Sequence, residues 1–171
     1  MSGLEEKVTE KVTTVGTTQP PSPVVTEEKV IIPFVEVMKR NDKLADAPPI
    51  DVRLRFNRNC EHETEVVETL AKLQEIYNLN RKFIICFDAI AVTHAERSHL
   101  LHLKKFLQIN QEVADKNTVA VAIVLPTKGV KLLMQGVLLF RKTPFEIKVF
   151  KELQPAKDWL KQQREKFVAQ K

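Results

Sequence analysis

Glycine is scarce in this chain. The 171 residues hold Gly3, Gly16, Gly129 and Gly136, and they form no cluster. A loop that cradles phosphate needs two or three glycines in a short span, because the backbone must approach its ligand and take positive φ. The GxGxxG and Walker loops are therefore excluded, and so is the GxSxG nucleophile elbow. Cysteine is limited to Cys60 and Cys86, with no CxxC, and HExxH is also missing. A disulfide framework and a zinc ribbon are thus not expected. Aromatic residues make up 6% of the chain, with one Trp and one Tyr. Basic residues are not interleaved with exposed aromatics, so the stacking platform of a single-strand binder is not expected. The longest apolar run, Val119–Leu125, falls far short of the ~20 residues a bilayer requires. The N-terminus MSGLEEKVTEKV has neither a basic n-region nor an apolar h-region, and Gly3 is misplaced for myristoylation. An intracellular chain without a cleaved targeting signal is expected, in cytoplasm, virion or organelle alike.

What is present is an ordinary globular composition of about one domain's size: 43% apolar, 29% charged, mean hydropathy -0.21. The net charge of +5 is unevenly spread. Residues 141–171 hold 9 basic and 4 acidic side chains, whereas residues 61–140 hold 9 of each. A basic C-terminal segment suits an acidic protein, nucleic acid or an anionic lipid surface, and it also suits a plain solvated helix face.

Residues 1–28 are rich in Thr, Val, Glu and Pro, with QPPSP at Gln19–Pro23. They carry no apolar periodicity and read as a flexible or extended arm before a domain at residues 29–171. Within that domain strand and helix patterns alternate. Val30–Met38 is β-branched and aromatic, but Pro33 would interrupt a ladder, so an edge strand is expected. Asp51–Asn57 alternates, with Val52, Leu54 and Phe56 on one face and Asp51, Arg53, Arg55 and Asn57 on the other. Phe83–Phe87 and Val119–Leu125 are continuous apolar runs, the pattern of strands buried on both faces. Glu146–Phe150 is the last strand.

Four helices separate and follow these strands. The first spans about Glu61–Tyr77 with Asn59 as cap and Val66, Leu70, Leu73 and Tyr77 inward. The second starts from a capping box at Thr93–Glu96 and buries Leu100, Leu103, Phe106, Leu107 and Val113. The third runs from Thr127 to about Arg141. The fourth follows Pro155, with Ala156, Trp159, Leu160, Gln163 and Phe167 inward and Lys157, Lys161 and Arg164 opposite. The resulting order, β-β-α-β-α-β-α-β-α, predicts an α/β domain with a mixed, mostly parallel five-stranded sheet covered by four helices.

Four stretches together resemble the STAS fold of anti-sigma factor antagonists, and more narrowly the SpoIIAA-like (STAS/SEC14-type) family. They are RKFIICFDAIAVT at Arg81–Thr93, TVAVAIVL at Thr118–Leu125, the stretch Val130–Phe140, and EIKVFKELQPAKDWL at Glu146–Leu160. The resemblance covers about residues 30–168 and implies a single STAS-like domain, mostly non-enzymatic, used for interaction or ligand sensing. In the anti-sigma antagonists an Asp-Ser pair opening the second helix is phosphorylated on Ser. The matching place is Val92–Thr93, where the Asp is missing and no Gly follows, so Thr93 reads as a helix cap.

Candidate sites are few. In open α/β sheets ligands bind beyond the carboxyl ends of strands, which nominates Asp88, Thr93, Thr127 and Lys128 for a small polar ligand. Lys157, Lys161 and Arg164 are candidate partner contacts, as are Arg53 and Arg55 of a second basic stripe that also holds Arg58. His99 and His102 share a helix face, and Glu96–His99 forms a lone Glu-x-x-His. A di-iron site needs a second copy and two further carboxylates, so these histidines read as solvated, and no metal or cofactor is expected. The sequence therefore points to a non-catalytic protein-interaction module, a structural or adaptor subunit of a larger assembly such as a viral particle or organellar complex. The alternatives are a small-molecule or lipid-binding sensor of the SEC14/STAS kind and a nucleic-acid-associated basic protein.

Overall fold

The computed structural model describes residues 25–31, 35–42, 49–125 and 142–170. In chain order the elements are β1 (Val25–Ile31), β2 (Val35–Asp42), β3 (Ile50–Phe56), α1 (Glu63–Asn78), β4 (Phe83–Asp88), α2 (Arg97–Ile109), α3 (Gln111–Asn117), β5 (Thr118–Val124), β6 (Glu146–Phe150) and α4 (Leu153–Ala169). The strands form one sheet in the order β1-β2-β3-β4-β5-β6. β3 to β6 are parallel throughout, and β1 and β2 extend the β3 edge with antiparallel pairings. The α/β class and the mostly parallel sheet follow the sequence pattern. The strand count does not: the expected single strand Val30–Met38 is replaced by two paired strands on either side of Pro33. A proline cannot donate to a ladder, so two strands that stop short of it keep hydrogen bonds that one continuous strand would lose. β1 takes in Val25–Glu28, the last residues of the expected arm; residues 1–24 lie outside the described residues, as does the third expected helix at Thr127–Arg141.

Register explains the two-sided core. Val52, Ile85, Val121 and Ile147 lie side by side on one face of the sheet, and Arg53, Cys86, Ala122 and Lys148 on the other. On the first face Leu73, Ile76 and Tyr77 of α1 pack on Ile50, Val52, Leu54, Phe83 and Ile85. Tyr77 stacks on Phe83 with ring centroids 5.3 Å apart. On the second face Ala156, Trp159 and Leu160 of α4 cover Ile84, Cys86, Ala120, Ala122 and Val124. The small side chains of Ala120 and Ala122 leave room for the Trp159 indole, which meets Phe150 at 5.7 Å. β4 and β5 are thus buried on both faces, as their unbroken apolar runs require.

Helix starts depart from the local signals. α1 begins after His62, not Asn59. The Glu65 carboxylate accepts from the Glu61 and His62 amides at 2.9 and 3.2 Å and pairs with Arg58. Burial alone would raise the Glu65 carboxyl, but the Arg58 guanidinium and these two amides outweigh it and bring it down to about 2. α2 begins after Glu96, so Thr93 is not its cap. Asn59 has captured Thr93 instead: its Oδ1 accepts from the Thr93 and His94 amides at 2.8 and 3.1 Å, and its Nδ2 donates to Thr93 Oγ1 at 3.0 Å. A contact across 34 residues has displaced two local caps at once. The expected second helix is also divided at Asn110, whose Nδ2 donates back to the Phe106 carbonyl. Pro155 stands third in α4, still within the first turn, where a missing amide costs no helical bond.

Trp159 is 9% exposed, so Trp159→Ala should destabilise the domain by roughly 3–5 kcal/mol through the cavity it leaves. Urea unfolding measures this, and an unchanged midpoint would place the indole outside the core. A second test concerns Glu65. A carboxyl lowered from 4.5 to about 2 on folding stabilises the fold above pH 4.5, and that stability is lost as pH falls toward 2. Glu65→Gln should abolish this acid-side slope and cost about 1 kcal/mol at neutral pH as a lost cap.

Candidate functional site

Asp88 ends β4 on the α4 face of the sheet and is 3% exposed. Its carboxylate forms an ion pair with Arg53 of the neighbouring β3 and receives a long contact of 3.5 Å from the Ile90 amide. Thr93 is held by Asn59 in the loop before α2, with no contact joining it to Asp88 among the described residues. Thr127 and Lys128 lie outside the described residues. Asp88 therefore spends its charge on Arg53. A buried charge deprived of its partner is costly, so Asp88→Asn should destabilise by about 3 kcal/mol in urea unfolding. Replacing both partners, Arg53→Met with Asp88→Leu, should recover most of that loss. An unaffected Asp88→Asn midpoint would mean that the carboxylate is available to a ligand.

The two basic stripes, far apart in the chain, come to the same side of the sheet. α4 lies over β5 with β4 and β6 beside it, and its Arg164 reaches across to an ion pair with Asp51 of β3. Arg164 is therefore not on the side of the helix away from the sheet, as its sequence position suggests, but on the flank toward β3. Lys157 and Lys161 precede it by seven and three residues, which places all three on one stripe of the helix. Burial pushes the Cys86 thiol up to about 11. The charges of Arg53 and Lys157 oppose that rise, which brings both cations near this part of β4. The result is a charged shelf. Arg53 and Arg164, 23% and 22% exposed, are neutralised by Asp88 and Asp51 at its floor. Arg55, Lys157 and Lys161 are exposed along its rim. The Arg53 Nε is buried there without a hydrogen-bond partner.

On the opposite face an apolar cavity of about 240 Å³ lies between the sheet and α2, lined among others by Leu54, Phe87, Val121, Ile123, Leu100 and Leu103. No residue of α2 is fully buried; of the stripe expected to pack on the sheet, Leu100, Leu103 and Leu107 border this space, while Phe106 and Val113 pack against the α1 core. At its mouth Cys60 Sγ stands 3.9 Å from His99 Nε2 and donates to the His62 carbonyl at 3.1 Å. Sequence reading missed this pair because its members come from different elements and neither has a motif. Burial and the Glu65 carboxylate push the Cys60 thiol up to about 11, which opposes thiolate chemistry. His99 is 12% exposed beside Glu96, and His102 pairs with Glu63 of α1. His99 departs from the expected solvated histidine, whereas His102 keeps 37% of its side chain exposed. Among the described residues no three His, Cys, Asp or Glu side chains are grouped to hold a metal ion, and no helix is long and apolar enough to cross a membrane.

Comparison of the chain with protein-family models, with curated proteins and with solved structures found no match.

Proposed function

We propose that the chain is a non-catalytic, STAS-like protein-interaction module that serves as a structural or adaptor subunit of a larger assembly, such as a viral particle or organellar complex. The observation that carries this reading is the convergence of Arg53 and Arg55 with Lys157, Lys161 and Arg164 on one shelf beside α4. Among the described residues, three groups that catalysis could draw on are otherwise engaged. Asp88 is paired, and both thiols are held far above the range in which they ionise at neutral pH. The monotone parallel order of β3 to β6, with helices on both faces, is compatible with the STAS resemblance at the level of the fold class.

Residues 1–24 are the second attachment element of this proposal. Capture of partners by the full chain should fall when Lys157, Lys161 and Arg55 are changed together to Glu, and fall further when residues 1–24 are removed, a deletion that leaves β1 whole. Reversal should leave thermal unfolding nearly unchanged, since exposed charges usually contribute less than about 0.5 kcal/mol each. Capture that survives both changes would defeat the reading. The apolar cavity favours a second one, a sensor for a small apolar or lipid ligand. A bound ligand would raise the melting temperature by mass action, so fatty acids and detergents that leave it unmoved in a thermal-shift series would speak against the sensor.

A further inference from the structure

Resting on the interaction reading, we infer that the shelf beside α4 accepts an acidic protein segment, one with discrete carboxylates, rather than the phosphate backbone of a nucleic acid. Five cations converge, but Asp88 and Asp51 stand among them and neutralise Arg53 and Arg164. What remains for a partner is Arg55 on β3 and Lys157 and Lys161 on α4, all exposed.

A nucleic acid backbone presents closely and regularly spaced negative charge, and proteins that bind it gain from each phosphate neutralised by a free cation. The interleaved aspartates work against such a continuous polyanion. They do not work against separate carboxylates, each of which can take one cation and avoid the acids between them. Opposite charges placed to match, with like charges placed to reject the wrong partner, are the usual device for selecting one polyanion over another. Recognition by stacking, which would favour single strands, lacks its platform here. Trp159 is buried against Phe150 and crossed by Lys148, and Phe167 is approached by Lys82.

The test uses the full chain and fluorescence anisotropy at low ionic strength, with three probes: a labelled oligoglutamate peptide whose glutamates are separated by Gly-Ser pairs, labelled oligothymidylate, and labelled phosphatidylserine vesicles. Oligoglutamate should bind most tightly of the three. Changing Arg55, Lys157 and Lys161 together to Gln should weaken it about tenfold, the sum expected of three exposed charge contacts. Asp51→Asn should move the preference toward oligothymidylate, and because this variant also removes the ion pair with Arg164, thermal unfolding must first show that it remains folded. Tighter binding of oligothymidylate or vesicles by the unaltered chain would overturn the inference. So would oligoglutamate binding that the triple Gln variant leaves unchanged. If oligoglutamate fails to bind while the triple Glu variant still loses a captured partner, the acidic-segment inference is overturned and the interaction reading stands. If neither the peptide nor a captured partner depends on the shelf, both are overturned.

Discussion

The constraint on which the rest of the structure depends is the double-sided burial of β4 and β5. Neither strand alternates, so each exposes apolar side chains on both faces of the sheet and each face needs a cover. On one face α1 covers β3 and β4 through Leu73, Ile76 and Tyr77, while Val121 and Ile123 of β5 join Ala89 and Leu125 in a separate apolar cluster. On the other face α4 supplies the cover through Ala156, Trp159 and Leu160. The demand ends at β3, whose alternation puts Val52 and Leu54 in the α1 core and Asp51, Arg53 and Arg55 on the α4 face. α4 can therefore sit over β5 and leave β3 to charged side chains. The boundary between apolar and charged sheet is the same line along which Arg164 meets Asp51 and Arg53 meets Asp88.

Legibility in the sequence follows the range of the forces. Long patterns survived: the two apolar runs, the alternating strand, the stripe Ala156–Trp159–Leu160 and the parallel order all rest on burial summed over many residues. Single-residue signals did not survive where a distant partner offered more. Thr93 and Glu96 spell a capping box, and Asn59 spells a cap, yet Asn59 meets Thr93 across the space between two loops and the helices start elsewhere. One side chain that satisfies two amides and one hydroxyl removes more unpaired groups than either local cap would. His62 then became the residue before α1, and Glu65 closed the box from inside the helix.

The candidate site shows the same division. That Lys157, Lys161 and Arg164 share a stripe was readable from helical spacing, and that Arg53 and Arg55 share a face was readable from the period of a strand. That the two stripes meet was not readable, because it depends on α4 packing on the face to which β3 turns its charges. The Cys60–His99 approach was hidden for a similar reason: it joins the loop before α1 to the first turn of α2.

The placement of the acids gives the shelf its character. Arg53 lies beside Cys86 and is only 23% exposed, a position in which an unpaired guanidinium would be expensive. Asp88 resolves that cost within the fold, and Asp51 does the same for Arg164. Both aspartates are thus required by stability before any partner arrives, and neither can be given up to enlarge the positive field. The surface open to a partner is then set by what the fold does not need, namely the exposed Arg55, Lys157 and Lys161. A partner that neutralises these three cations gains without disturbing the pairs beneath them, whereas one that requires all five must first displace two carboxylates that hold α4 and β4 to β3.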